Sequence, residues 1–99
     1  MEINLYRIIQ EAINNIIKHS QATEAKVEIK KNIKYVNISI SDNGKGFDKK
    51  KMLKEVNGLG LTGMEERAKL ISGSFKIKSK TNKGTEIAIH VPINYNLKL

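Results

Sequence analysis

Residues 35–47 read YVNISISDNGKGF. Val36, Ile38 and Ile40 alternate with polar residues, so a strand is expected over 34–41 with those three on its inner face. Asn-Gly between apolar runs marks a turn. This turn opens with an acid, and Gly44 and Gly46 flank a single residue. Asp42 shares the parity of Ile40. If the strand stays regular, Asp42 continues the inward face, where a carboxylate without a partner is costly. There it could accept a hydrogen bond from the exocyclic amine of a purine, with the glycines letting the backbone approach a flat ligand. If the strand ends at Ser41, Asp42 turns outward in an Asx-type turn. The segment alone leaves both readings open.

Working outward, residues 25–31 alternate as well, with Val27 and Ile29 on one face, and are expected to pair antiparallel with 34–41. Upstream, EINLYRIIQEAINNIIKH (residues 2–19) keeps Leu5, Ile8, Ile9, Ala12, Ile13, Ile16 and Ile17 on a wide apolar stripe at helical spacing. Ser20 to Thr23 is a polar break. Downstream, residues 42–61 are irregular, with a lysine-rich helical turn expected within 48–56. Leu61 to Ile71 reads as a second helix. Thr62 is expected to cap its start, with Glu65 and Glu66 in the first turn and Gly73 ending it. Two more strands, 74–79 and 85–91, flank the turn TNKG. Phe75 and Ile77 share one face; Ile87, Ile89 and Val91 share another. Pro92 closes the last strand, and the tail beyond it is expected to fray. Helix, hairpin, loop, helix, hairpin predicts an α+β fold, a two-layer sandwich with helices on one face of the sheet.

The 99 residues fit one small domain. The chain has no cysteine, so it builds neither disulfides nor a Cys-based zinc site. No run of 18 or more apolar residues is present, so no transmembrane helix is expected, and no signal-type segment opens the chain. Net charge is +8 with a pI of about 9.8. The excess is almost all lysine, since Arg7 and Arg67 are the only arginines, and aromatics make up 5%. Base readout favours arginine and base stacking favours aromatics. The charge therefore reads as a solvated lysine surface with a modest preference for anions such as phosphate, and no nucleic-acid partner is expected.

Three further segments bear on chemistry. Glu11, Asn15 and Lys18 lie four and three residues apart, on one side of the first helix. A carboxylate and an amide oxygen can hold a hydrated magnesium ion, and a lysine one turn on can meet phosphate. The plain alternative is an exposed helix face. NGLGLTGMEER (residues 57–67) places Gly58, Gly60 and Gly63 before or at a helix start, where free backbone N–H groups favour anions. The dinucleotide fingerprint is rejected, because no strand immediately precedes it. KGTEIAI begins the last strand with Gly84 and Thr85, either as a hairpin turn or as part of a pocket lining.

In this order the four segments resemble the ATP-binding catalytic domain of sensor histidine kinases. That domain belongs to the superfamily that also holds gyrase B subunits, the heat-shock chaperone of the same fold and mismatch-repair ATPases. QEAINNIIKHSQA resembles the family's N box, DNGKGF its first glycine box, GLGLTGMEER its second, and KGTEIAIHVP its terminal Gly-Thr strand. The likeness spans about Leu5 to Pro92. The forms QEA-NN-KH and GLGLTGMEER resemble the subgroup paired with helix-turn-helix response regulators of the nitrate-regulator type.

The resemblance implies a Bergerat-type sandwich with a mixed, mostly antiparallel sheet. It implies that ATP and Mg2+ bind between the first helix, DNGKGF and GLGLTG. Asn15 would coordinate magnesium on the phosphates, and Lys18 would contact phosphate. His19 completes the Lys-His pair of the N box and is placed with the ATP-binding residues. Asp42 would accept the adenine amine, with Gly44 and Gly46 shaping the pocket. Gly58, Gly60 and Leu61 would form the phosphate and lid segment, with Gly63 at the helix start and Thr85 at the adenine end. A short lid would span roughly 47–57. Glu11 stands where ATPase relatives carry the acid that activates water. Its role here would be to tune magnesium or polarise the attacking histidine.

The resemblance also implies partners: a helical dimerisation domain bearing the phospho-accepting histidine, and a response regulator. Neither His19 nor His90 has the acidic neighbour of such an acceptor. The chain (1–99) therefore reads as a catalytic domain by itself, not expected to autophosphorylate. It is expected to be cytoplasmic and without membrane contact of its own, its parent kinase being compatible with a membrane anchor. The rival readings are a stand-alone protein kinase of the anti-sigma type, a non-catalytic nucleotide-binding module and a basic nucleic-acid-binding domain.

Overall fold

The computed structural model describes residues 3–47 and 60–93. Helix α1 (Ile3–Asn15) runs into a π-helical turn (Ile16–Ser20). Strands β1 (Ala25–Lys31) and β2 (Tyr35–Asp42) follow, then helix α2 (Leu61–Leu70) and strands β3 (Ser74–Ser79) and β4 (Thr85–Pro92). The sheet order is β1-β2-β4-β3, and every neighbouring pair is antiparallel. The two hairpins thus meet along β2 and β4 at the centre of the sheet. The α+β sandwich is as expected. The mixed character is not seen among the described residues, whose strands are antiparallel throughout.

The core follows from two periodicities. Leu5, Ile8 and Ala12 of α1 and Leu61, Met64 and Ala68 of α2 recur at helical spacing and are buried. Beneath them the sheet contributes cross-strand rows, Ile38 beside Ile89 beside Phe75 and Ile40 beside Ile87 beside Ile77. Full burial of each large side chain contributes about 1.5–3 kcal/mol. Arg67 Nη1 donates to Asn4 Oδ1 at 3.2 Å and links the two helices at their surface. Strand β1 is different. Val27 and Ile29 pair with Ile40 and Ile38, so they face the helix side, yet they remain 45% and 55% exposed.

The second helix departs from expectation at both ends. Its N-terminal flank is Gly60 (φ +70°), and Thr62 makes no cap because it lies inside the first turn. The first turn holds no acid; Glu65 comes a turn later, 3.9 Å from Lys69. At the other end the left-handed residue is Ser72 (φ +59°), not Gly73. Ser72 N–H donates to Lys69 O and Gly73 N–H to Ala68 O, at 3.1 and 2.8 Å, the paired bonds of a Schellman stop. Gly73 is small for want of room: a Cβ there would stand 2.9 Å from the His90 carbonyl oxygen. His90 itself points outward, its ring 4.9 Å from that of Tyr35.

Candidate functional site: a purine-sized cavity between the first helix and the glycine loop

The first helix does not end cleanly. After Asn15 it widens into a π turn, a feature often found at functional sites. Ser20 is buried at the end of that turn. Its Oγ donates to Ile16 O at 2.7 Å and accepts from Ala22 N–H at 3.1 Å. Its backbone oxygen accepts from Lys45 N–H at 2.7 Å, which stitches the helix end to the glycine loop. A second clamp is made by Asn43, whose Oδ1 accepts from Thr23 N–H and Glu24 N–H, both at 3.0 Å. Gly44 fits against this seam. A Cβ there would collide with the Ser20 carbonyl oxygen and stand 2.7 Å from its Cβ. Gly46 adopts φ +59°, a left-handed turn that glycine takes without penalty.

The two readings of Asp42 prove compatible. Strand β2 runs through Asp42, which pairs with Ala25 on one side and Thr85 on the other. Its Oδ1 accepts from Gly44 N–H at 2.7 Å, as in an Asx turn, and the half-buried side chain still lines a cavity of about 180 Å³. The floor of that cavity is the row Ile40, Ile87 and Ile77, with Ala12, Ile16 and Leu61 as apolar walls. Asn15, His19, Asp42, Lys45 and Thr85 bring polar groups to it. Apolar walls and a few convergent polar groups suit a flat heterocycle with a charged tail toward the mouth.

Not every expected residue joins this cavity. Gly46 and Leu61 line it with the groups above, whereas Gly44 lies behind it against Ser20. Glu11 sits beside Gly60, where a Cβ would stand 2.7 Å from its Oε1; its carboxylate therefore faces the start of α2. Lys18 is exposed and His19, its neighbour, lines the cavity instead. Gly63 is exposed, and apart from its chain neighbours and its own helix backbone no described atom lies within 4 Å of where its Cβ would be. Gly58 and the lid beyond Phe47 lie outside the described residues. Among the described residues no group of three acids or histidines could hold a metal ion, and no helix is long and apolar enough to cross a membrane.

The family model described as histidine kinase-, DNA gyrase B- and HSP90-like ATPase matches residues 1–95. The chain belongs to this ATPase family. It is 43% identical over 94 residues to the signal transduction histidine-protein kinase/phosphatase DegS of Bacillus subtilis, and 40% identical over 94 residues to the sensor protein VraS of Staphylococcus aureus. Those alignments take in 94% and 95% of this chain but 24% and 26% of the relatives, so it spans about a quarter of their length. The fold is shared with the ATP binding domain of PrrB from Mycobacterium tuberculosis, with a TM-score of 0.71 at 24% identity. That match covers 93% of this chain and 68% of the other. It is shared also with the Acinetobacter baumannii histidine kinase AdeS, with a TM-score of 0.75 at 20% identity, covering 92% of this chain and 46% of that one.

Some residues that shape the cavity carry no motif of their own in the sequence. Lys45, the spacer between two glycines, lines the cavity. Ser20, in the polar break, and Asn43, in the turn, each organise the glycine loop. Ser79 does not line the cavity; it lies with Ile77 on the core side of β3.

Proposed function

We propose that the chain supplies the Mg-ATP-binding catalytic domain of a two-component sensor histidine kinase. It transfers the γ-phosphoryl group to a histidine on a separate helical dimerisation domain, for relay to a response regulator of the nitrate-regulator type. The single observation that supports this best is the apolar cavity that has Asp42 and Thr85 at one end and Asn15 and His19 on its wall. Asp42 and Thr85 stand opposite each other on adjacent strands, where they read the base. Asn15 faces the phosphate end.

The Asn15 amide oxygen would be the protein ligand of a magnesium ion carried in with the phosphates, and Glu11, one turn away, would tune it. When bound, it neutralises charge on the phosphates. The chain's own residues do the rest: Asp42 and Thr85 orient the base, the isoleucine floor excludes water beneath it, and Asn15 fixes the tail. The similarity to DegS and VraS supports the kinase assignment, and a cytoplasmic site of action is part of the same proposal. The test is phosphotransfer to a dimerisation domain supplied separately, with labelled Mg-ATP. Label on the acceptor histidine is expected only when this chain is present, and none with Asn15→Ala. ATP bound without transfer would reduce the chain to a nucleotide-binding module, and label on serine would favour the anti-sigma type of kinase.

A further inference from the structure

One polar side chain below the cavity has no part in that reading. Ser79 ends β3 on the core side, cross-strand from Thr85, which in turn lies cross-strand from Asp42. The three form a row along the end of the sheet. The Ser79 hydroxyl meets three groups. Phe47 N–H donates to it at 3.0 Å, it donates to Gly84 O at 3.2 Å, and Thr85 Oγ1 lies 2.8 Å away.

A serine hydroxyl has one hydrogen and two lone pairs. Only one assignment makes all three contacts hydrogen bonds. Phe47 N–H takes one lone pair, the Ser79 hydrogen goes to Gly84 O, and Thr85 must donate its own hydrogen to Ser79. Thr85 then has no hydrogen left for the cavity and presents lone pairs alone. Asp42, when ionised, is likewise an acceptor only, and directly opposed residues have Cβ atoms roughly 5 Å apart. Two acceptors side by side call for a ligand edge that brings donors. An exocyclic amine provides them. A keto oxygen at the same position sets acceptor against acceptor and leaves two half-buried groups without a donor there, the arrangement by which polar sites reject close analogues.

We infer that Ser79 is a positioning residue for base selection. By taking the hydrogen of Thr85 it fixes that hydroxyl as an acceptor toward the base, and through Phe47 N–H it ties this setting to the exit of the glycine loop. The inference rests on the ATP-binding reading of the cavity. It adds that selection of the 6-amino purine depends on a residue that does not itself line the pocket.

The experiment measures Kd for Mg-ATP and for Mg-inosine triphosphate, in which the amine is replaced by a keto oxygen, by calorimetry on the 99-residue chain. Wild type is expected to prefer ATP. In Ser79→Ala the Thr85 hydroxyl is free to rotate and donate to a keto oxygen, so the preference is expected to fall about tenfold, one lost hydrogen-bond distinction. Ser79→Thr, which keeps the hydroxyl on a strand, is expected to retain it. Mere loosening of the fold would weaken both nucleotides together and leave the ratio unchanged. Thr85→Val covers the case in which Ser79→Ala does not fold. It removes the acceptor itself and is expected to lower the same ratio. An unchanged ratio in a folded Ser79→Ala, or in Thr85→Val, overturns the inference while the ATP-binding reading stands. No binding of Mg-ATP by wild type overturns both.

Discussion

Replacing glycine by alanine adds one methyl group, and the structure gives that methyl opposite consequences at Gly44 and Gly63. At Gly44 it would collide with the Ser20 carbonyl oxygen and stand 2.7 Å from Ser20 Cβ and 2.8 Å from Asp42 Oδ1. These are backbone atoms and short side-chain atoms, none of which can swing away. Overpacking of this kind costs about 1–3 kcal/mol. Relief by shifting the loop lengthens the Lys45 N–H bond to Ser20 O and the Gly44 N–H bond to Asp42 Oδ1, which contribute about 1 kcal/mol each. Gly44→Ala should therefore lose about 2–4 kcal/mol. For a domain of this size that lowers Tm by roughly 10–25 °C. Gly63 is helical and exposed, with open space among the described residues around it. There alanine should gain about 1 kcal/mol from helix propensity and raise Tm by about 4–8 °C. Thermal melts followed by circular dichroism, with urea titrations at unchanged m value, measure both. A Gly44→Ala protein within about 0.5 kcal/mol of wild type would refute the close seam between helix end and glycine loop. A destabilised Gly63→Ala would refute the open surroundings assigned to it.

Ser72→Gly should raise stability by about 0.5–1 kcal/mol, because a left-handed φ of +59° strains any residue with a Cβ; a Tm that does not rise would count against the Schellman stop. Ile89→Ala should cost about 2–5 kcal/mol in urea unfolding, since Ile89 is 1% exposed in the central row; a loss below 1 kcal/mol would place it outside the core. Asn43→Ala should cost about 0.5–1.5 kcal/mol, since it removes the acceptor for Thr23 N–H and Glu24 N–H, and amide exchange at those two residues should quicken while the sheet centre stays protected. Exchange unchanged at residues 23 and 24 would exclude the clamp.

What the sequence made legible was periodic. The alternation at Val36, Ile38 and Ile40 and the stripe at Leu5, Ile8 and Ala12 each depend on one rule, a period of two or of 3.6, and both lead to buried residues or core-packed neighbours. Asp42 shares the parity of Ile40, which leaves its inward and outward readings both open, and Thr85 joins the expected site only through the resemblance of KGTEIAIHVP to a family strand. What stayed hidden was set by contacts between distant segments. The sequence points to Gly73 as the end of the helix, but the left-handed turn falls on Ser72. Gly73 is small because the His90 carbonyl lies close by, on a strand that begins a dozen residues later. Lys18 and His19 differ by one position, and a regular helix would favour the spacing of Lys18. The π turn rotates the end of the helix, and His19 meets the cavity. No local pattern announces a π turn.

The polar end of the cavity follows from the register of the apolar rows. Ile38 pairs with Ile89 and Ile40 with Ile87 across the sheet centre, and all four are nearly inaccessible to solvent. A slip of one residue between β2 and β4 would turn Ile38 and Ile40 to the outer face and lose the burial that holds the domain together. The register is therefore fixed by the core, and it carries Asp42 onto the inner face opposite Thr85 without any contribution from a ligand. Deep in the core a carboxylate at that parity would be intolerable. Asp42 stands at the last position of its strand, where it is half-buried, bonded to Gly44 N–H and part of the cavity lining. The hydrophobic energy that locks the sheet also sets Asp42 and Thr85 opposite each other at its end.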